Sequence, residues 1–306
     1  MSPVIRTHPT TRSQVPPGPH DEALHQVIDW HYAMRKKLSE EYAWNADQNP
    51  FDPIDGLIQR WGDVVVPIFT GDSRSDQVAD GMGSAFVTTL NKRLFLVTAE
   101  HVVQQVVQAR GVIANIQGKA IVMNGMKFTS ISDYDIAATE LTEDWARRNG
   151  VEGLKAIAAP GFEMPWRKTG VFMLAGYPAS KNRLDLRYGK VTRTMTSITA
   201  EATTDTANTK IVDFRTYAYD HRNVIDSAQK VLGPQAGLHG MSGGPCMEVL
   251  AFQDEEGKFR FSLACAGVMC EWHKDHRLVV AAPPEAIVAV CLHAMKNDGT
   301  WSDPPA

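Results

Sequence analysis

The chain has 306 residues, 43% hydrophobic and 22% charged, so its composition is that of a soluble globular protein and its length fits about two domains. Lys plus Arg (31) against Asp plus Glu (35) gives a formal charge of −4, without the basic excess that nucleic-acid binding needs. The longest apolar runs, such as Leu278–Ala282 and Ala286–Leu292, are far too short to cross a bilayer, so no membrane partner is expected.

Residues 1–20 are rich in Pro, Thr and Arg and predict a flexible tail. Met1–Pro19 carries Arg6 and Arg12 but no apolar stretch, so no secretory signal peptide is expected. From Asp21 to Ala46, Leu24, Val27, Ile28, His31, Met34, Leu38 and Tyr42 recur at three- and four-residue spacing and predict an amphipathic helix. Asp21 serves as its N-cap, Asn49-Pro50 and Pro53 stop it, and a shorter helix, Ile54–Trp61, follows.

At Val64 the period changes. Val64–Thr70, Gly83–Thr89, Arg93–Thr98, Val112–Gln117, Lys119–Met123 and Asp135–Leu141 are short, β-branched-rich runs between turn residues, with a helical interruption at Val102–Arg110. Glu143–Gly161 reads as a connector containing a helical piece. A second series follows in Val171–Tyr177, Leu186–Thr199, Lys210–Tyr217, Gly244–Ala251, Phe259–Cys270 and Arg277–Ala281. Pro283-Pro284 then opens a helix over Glu285–Lys296. The division expected is a tail (1–20), a helical extension (21–62), a β unit with connector (63–160), and a second β unit with a terminal helix (161–306).

Cys246, Cys265, Cys270 and Cys291 all fall in the last 61 residues. Disulfide staples would be spread through the fold, so a reduced, cytoplasmic protein is expected. Cys265, Cys270, His273 and His276 have soft-ligand character, but zinc sites usually pair two close motifs, and a β-hairpin with a polar turn over Glu271–His276 explains them better. No metal or other cofactor is expected. Gly111–Lys119 lacks the spacing and the Ser/Thr of a phosphate loop.

Three patterns carry chemistry. Gly83-Ser84-Ala85-Phe86-Val87 and Leu94–Thr98 are adjacent apolar strands that end in Thr98-Ala99-Glu100-His101, with the histidine at a strand-to-helix turn. Asp133-Tyr134-Asp135-Ile136-Ala137 puts a carboxylate just before an apolar strand. Gly240-Met241-Ser242-Gly243-Gly244-Pro245 sets a serine among glycines that let backbone N–H groups converge. A serine hydroxyl needs a base to become a nucleophile, and an imidazole titrating near neutrality can take its proton and return it to a leaving group.

These motifs, in this order, resemble those of the chymotrypsin-like (trypsin-like) serine peptidases, above all the bacterial branch without structural disulfides, such as the HtrA-like peptidases. The resemblance covers residues 64–296 and rests on T-A-x-H at Thr98–His101, D-hydrophobic-A at Asp135–Ala137, and G-x-S-G-G-P at Gly240–Pro245. It implies an all-β fold of two antiparallel six-stranded β-barrels, here with an N-terminal helical extension and a C-terminal helix. It also implies a catalytic triad of His101, Asp135 and Ser242, with an oxyanion hole from the N–H groups of Gly240 and Ser242. Asp133, two residues before Asp135, would face the same side of an extended strand, so parity does not separate the two, whereas the family pattern favours Asp135. By position, Ala236 would floor the primary substrate pocket, and Met269, Cys270 and Glu271 would line one wall, which suits a small-to-medium apolar side chain. Glu271 leaves a basic one open. His239 would sit on the cleft rim and Cys246 in the strand behind the nucleophile.

Met241 stands where secreted relatives carry an Asp that pairs with a newly cut N-terminus, so this chain must order its oxyanion loop by packing or through a partner. The function implied is a serine endopeptidase that hydrolyses proteins or peptides through an acyl-enzyme. The alternatives are a peptide-binding pseudopeptidase and a partner-activated defence module. The apolar stripe of residues 21–62 would pack on the peptidase itself or dock an activating or recruiting protein.

Overall fold

The computed structural model describes residues 44–45, 62–71, 78–108, 112–123, 125–151, 153–158, 167–185, 190–192, 194–205, 207–226, 237–253 and 259–297. The tail, the helix Ile54–Trp61 and all but two residues of the helix Asp21–Ala46 lie outside them. Those two correct its expected end. Trp44–Asn45 form a short strand, β1, antiparallel to a later strand at Phe261 and Arg260.

The first β unit holds β2 (Val65–Gly71), β3 (Val78–Leu90), β4 (Arg93–Ala99), β5 (Val112–Ile116), β6 (Lys119–Val122), β7 (Thr129–Ile131) and β8 (Ile136–Glu140). They pair in the order β6-β5-β2-β3-β4-β8-β7. Helix α1 (Glu100–Gln108) follows β4, and α2 (Glu143–Asn149) follows β8. Thr142 caps α2, its Oγ1 accepting the Trp145 N–H, and Gly150 closes it in the left-handed conformation. The unit has more strands than six. β9 (Ile157–Ala158) runs parallel to β3, and β11 (Arg183–Asp185), paired with β12 (Lys190–Thr192), adds antiparallel to the start of β3. Residues from beyond the expected boundary at 160 thus extend the first sheet to ten strands. Among the described residues no ladder joins β6 to β7.

The second unit is a closed barrel of six strands: β10 (Arg167–Gly176), β13 (Thr196–Thr203), β14 (Arg215–Asp226), β15 (Pro245–Gln253), β16 (Phe259–His273) and β17 (Leu278–Ala282). The order β16-β15-β10-β13-β14-β17 is closed by β16 pairing with β17, and β1 adds outside β16. Cys265 and Cys270 lie in β16, which reaches His273 before a 3₁₀ turn, Lys274–His276, leads into β17. The expected hairpin is present with a shorter turn.

One buried core runs through both units, from Val66, Phe86, Phe95 and Leu96 to Met247, Val268 and Val280. Phe95, Leu96 and Val97 are consecutive and fully buried, which is why β4 reads as a continuous apolar run rather than an alternating one. Helix α3 (Pro284–Asn297) carries Ile287, Val290, Cys291 and Ala294 on its buried face and packs on β7 and β8 of the first unit and on β16 of the second. It straps the two together.

Candidate active site

His101 is the second residue of α1, where backbone N–H groups have no partner within the helix. Asp135 supplies partners for two of them. Its carbonyl oxygen accepts the Glu100 N–H at 3.0 Å, and its Oδ1 accepts the His101 N–H at 2.9 Å. The other carboxylate oxygen, Oδ2, lies 2.7 Å from His101 Nδ1, so Nδ1 carries the proton and Nε2 is left as the acceptor. The approach is possible because Asp135 adopts a left-handed conformation (φ 48°, ψ 46°) at the end of the 3₁₀ turn Ser132–Tyr134, a conformation that Asp tolerates better than most residues. The imidazole is 38% exposed and the carboxylate 19%. Asp133 lies within the 3₁₀ turn and is exposed; its carbonyl accepts the Val212 N–H at 2.8 Å.

Ser242 comes from the loop before β15, and three tethers join it to the His101 side. The Ser84 N–H donates to the Ser242 carbonyl at 2.8 Å. Gly243, at φ +86°, packs so tightly on the Ser84 carbonyl, Thr98 Oγ1 and the Ala99 N–H that no side chain fits. Cys270 Sγ lies 3.6 Å from the Asp135 carbonyl oxygen, while the Cys270 carbonyl accepts the Ser242 hydroxyl at 3.1 Å. The Ser242 hydroxyl is thus held on a backbone carbonyl. Burial, and then the Asp135 carboxylate beside it, push the Cys270 thiol well above its usual range and keep it protonated.

The loop around Ser242 directs its amides. The His239 carbonyl accepts the Ala179 N–H at 2.8 Å, and the Met241 carbonyl accepts the Gly244 N–H at 2.9 Å. The peptide bonds of this loop are trans, so the N–H groups of Gly240 and Ser242 point away from those tethered carbonyls. Among the described residues neither donates elsewhere, whereas the Met241, Gly243 and Gly244 amides are all engaged. Met241 is 2% exposed and packs with Leu238, Met269 and Val279, so apolar burial holds this position in the loop.

A small cleft is lined by Ser242, Met269, Cys270 and Glu271 together with Leu238, Met241, Trp272 and Val279. The Trp272 indole donates to Tyr219 Oη at 2.6 Å, which fixes it across the barrel. Glu271 is not a free anion, because its carboxylate accepts from Thr209 Oγ1 at 2.9 Å and meets His273 Nε2 at 2.9 Å. Ala236, the expected pocket floor, lies outside the described residues. His239 is exposed and Cys246 fully buried in β15. Sequence reasoning missed Ser84, Leu238, Trp272 and Val279. The first lay within a quoted strand but carried no local sign of a role.

No family model matches this chain, and no curated protein matches it. Among solved structures it is similar to the MamO protease domain of Magnetospirillum magneticum, at TM-score 0.40 and 11% identity, over 74% of this chain and 95% of that one. It is similar to the serine protease domain of the Sesbania mosaic virus polyprotein, at TM-score 0.41 and 13% identity, over 74% and 91% of the two chains. A Glu endopeptidase is similar at TM-score 0.41 and 15% identity, over 76% and 91%.

Proposed function

We propose that the chain is a serine endopeptidase of the chymotrypsin-like kind, acting on protein or peptide substrates through Ser242, His101 and Asp135. The observation that carries this reading is the Asp135–His101 pair at 2.7 Å, linked through Cys270 to Ser242, whose loop leaves the Gly240 and Ser242 amides undonated among the described residues. In this mechanism a substrate displaces the Ser242 hydroxyl from the Cys270 carbonyl. His101 Nε2 takes the hydroxyl proton as Oγ attacks the scissile carbonyl. The oxyanion that forms is held by the Gly240 and Ser242 N–H groups, donors typically worth ~10²–10³ in rate apiece. Asp135 stabilises the imidazolium, which protonates the leaving amine, and water then hydrolyses the acyl-enzyme by the same path.

Leu238, Met241, Met269 and Val279 support an uncharged, small side chain next to the scissile bond, and the engagement of Glu271 by Thr209 and His273 weighs against a basic one. All four cysteines are free and buried, which supports a reducing, cytoplasmic setting. A fluorophosphonate probe tests the assignment. It should label the parent at Ser242 and leave Ser242→Ala unlabelled, with turnover of a good substrate lowered by ~10⁶-fold in that variant. A Ser242→Ala protein that hydrolyses at the parent rate would refute it.

A further inference from the structure

Ser84 is fully buried in β3 of the first unit, yet its polar atoms work on the second. Its hydroxyl donates to the Gly240 carbonyl at 2.9 Å and accepts the Tyr177 N–H at 2.8 Å. Its own N–H holds the Ser242 carbonyl at 2.8 Å, and its carbonyl accepts Thr98 Oγ1 at 2.7 Å. The hydroxyl therefore both donates and accepts in a buried site, and both of its partners belong to the other unit.

We propose that Ser84 is a positioning residue for catalysis, whose hydroxyl pins the Gly240–Met241 peptide and so aims the oxyanion-hole amides. The inference rests on the peptidase reading above. Three consecutive carbonyls define the loop. Those of His239 and Met241 are held by backbone amides, Ala179 and Gly244, whereas that of Gly240 is held by a side chain. The Met241 N–H of the same peptide donates to the Leu238 carbonyl at 3.0 Å, so the Gly240–Met241 peptide has two tethers, and the Ser84 hydroxyl is the one on its carbonyl, next to a glycine at φ +92° whose backbone gives way easily. This peptide lies between the two that carry the Gly240 and Ser242 N–H groups, so its tilting on loss of the Ser84 bond would draw both off the developing oxyanion. A buried ion pair is absent from this loop because Met241 cannot form one, and the Ser84 hydroxyl takes over part of that ordering. Gly176 leaves room for the arrangement, since a Cβ there would meet Met241 Cα at 3.0 Å and Ser84 Oγ at 3.1 Å.

The test compares Ser84→Ala, Ser84→Cys and the parent, by steady-state kinetics and by affinity for a peptide aldehyde, whose adduct places an oxyanion in the hole. Ser84→Ala should lower kcat by ~10²-fold, within the range for losing or misplacing one donor, with KM changed less than about threefold. Aldehyde affinity should fall in step with kcat, while affinity for the matching non-covalent product peptide stays level. Ser84→Cys keeps a weak donor of similar size and should fall between the other two. Amide exchange supplies a readout independent of turnover. Tyr177 and Ala179 should both exchange at least about tenfold faster in Ser84→Ala, and Ala179 is informative because its acceptor is His239, not Ser84. An unlabelled, inactive parent would sink the peptidase reading alone, and the pin would then be judged by those amides. Equal kcat and aldehyde affinity across the series, or unchanged Ala179 exchange, would overturn the pin. If Ser84→Ala does not fold, Ser84→Cys carries the same comparison.

Discussion

Asp135→Asn is the substitution whose outcome the geometry fixes most tightly. Asn tolerates the left-handed backbone that Asp135 adopts, so the turn survives. The carboxylate accepts two donors, the His101 backbone N–H at 2.9 Å and the ring Nδ1 at 2.7 Å. An amide has one accepting oxygen and one donating nitrogen, so it cannot serve both. The backbone N–H cannot change its character, whereas the imidazole can shift its proton. The amide oxygen should therefore stay on the His101 N–H and its NH₂ should face Nδ1, which places the ring proton on Nε2. A ring protonated at Nε2 cannot accept from Ser242. The expected loss is ~10⁴ in kcat, equivalent to about 5.5 kcal/mol of transition-state stabilisation, with the melting temperature nearly unchanged. Asp133→Asn is the control, since Asp133 joins the fold through its carbonyl rather than its side chain in the bonds described. Hydrolysis of a chromogenic peptide by both variants decides the matter. A loss below tenfold in Asp135→Asn, or an equal loss in Asp133→Asn, would refute the assignment.

Burial raises the thiols of Cys246, Cys270 and Cys291 above their usual range, so each is protonated when folded at a pH where the unfolded chain has ionised. A raised folded-state pKa confers stability that is complete below the unfolded value and is lost as pH climbs past it. Each thiol then costs about 1.4 kcal/mol per pH unit above roughly 9, and a thermal melt should fall by on the order of 10 °C between pH 9 and 10; a flat profile would contradict this. Gly243→Ala should abolish soluble expression or activity, because a Cβ at φ +86° would overlap the Ser84 carbonyl and Thr98 Oγ1, and a fully active variant would show the two units can part at no cost. Removing residues 1–62 takes away β1 and uncovers the edge of β16 at Arg260 and Phe261, so the truncated protein should melt several degrees lower. Melting at the parent temperature would instead favour a partner as the target of the extension.

Most of the strand pattern was legible because β2, β4, β8 and β17 are short apolar runs between turn residues. His101 and Ser242 were legible for a different reason, since local motifs carry them. Asp133 and Asp135, two residues apart, could not be separated by strand parity, and the structure puts neither in a strand: one lies in a 3₁₀ turn and the other closes it in a left-handed conformation. Trp44–Asn45 continued a helical spacing, yet they pair with residues more than 200 positions away, and non-local ladder bonds override a local period. β11 and β12 are polar and owe their place to β3, which a reading by neighbours cannot supply. Ser84 was hidden most completely. In sequence it is a serine in a strand, and its chemistry appears only when Gly240, 156 residues later, is brought onto its hydroxyl.

That separation has a consequence for how this site responds to change. His101 and Asp135 belong to the first unit and Ser242 to the second, so their spacing is set by docking rather than by any one element. Docking is braced from both sides. Ser84 and Gly243 stitch the Ser242 loop to β3 and β4, while the Val212 N–H, from the second unit, holds the Asp133 carbonyl and so steadies the turn that presents Asp135. Cys270 stands between, its carbonyl on Ser242 and its sulfur against Asp135. A shift of about 1 Å at this seam costs a reaction far more than it costs the core, since misplacement of that size can lower a rate ~10²-fold, whereas one lost hydrogen bond typically costs about 1 kcal/mol of stability. Substitutions along the seam should therefore register in kcat well before they register in melting temperature, and those inside either core in the reverse order.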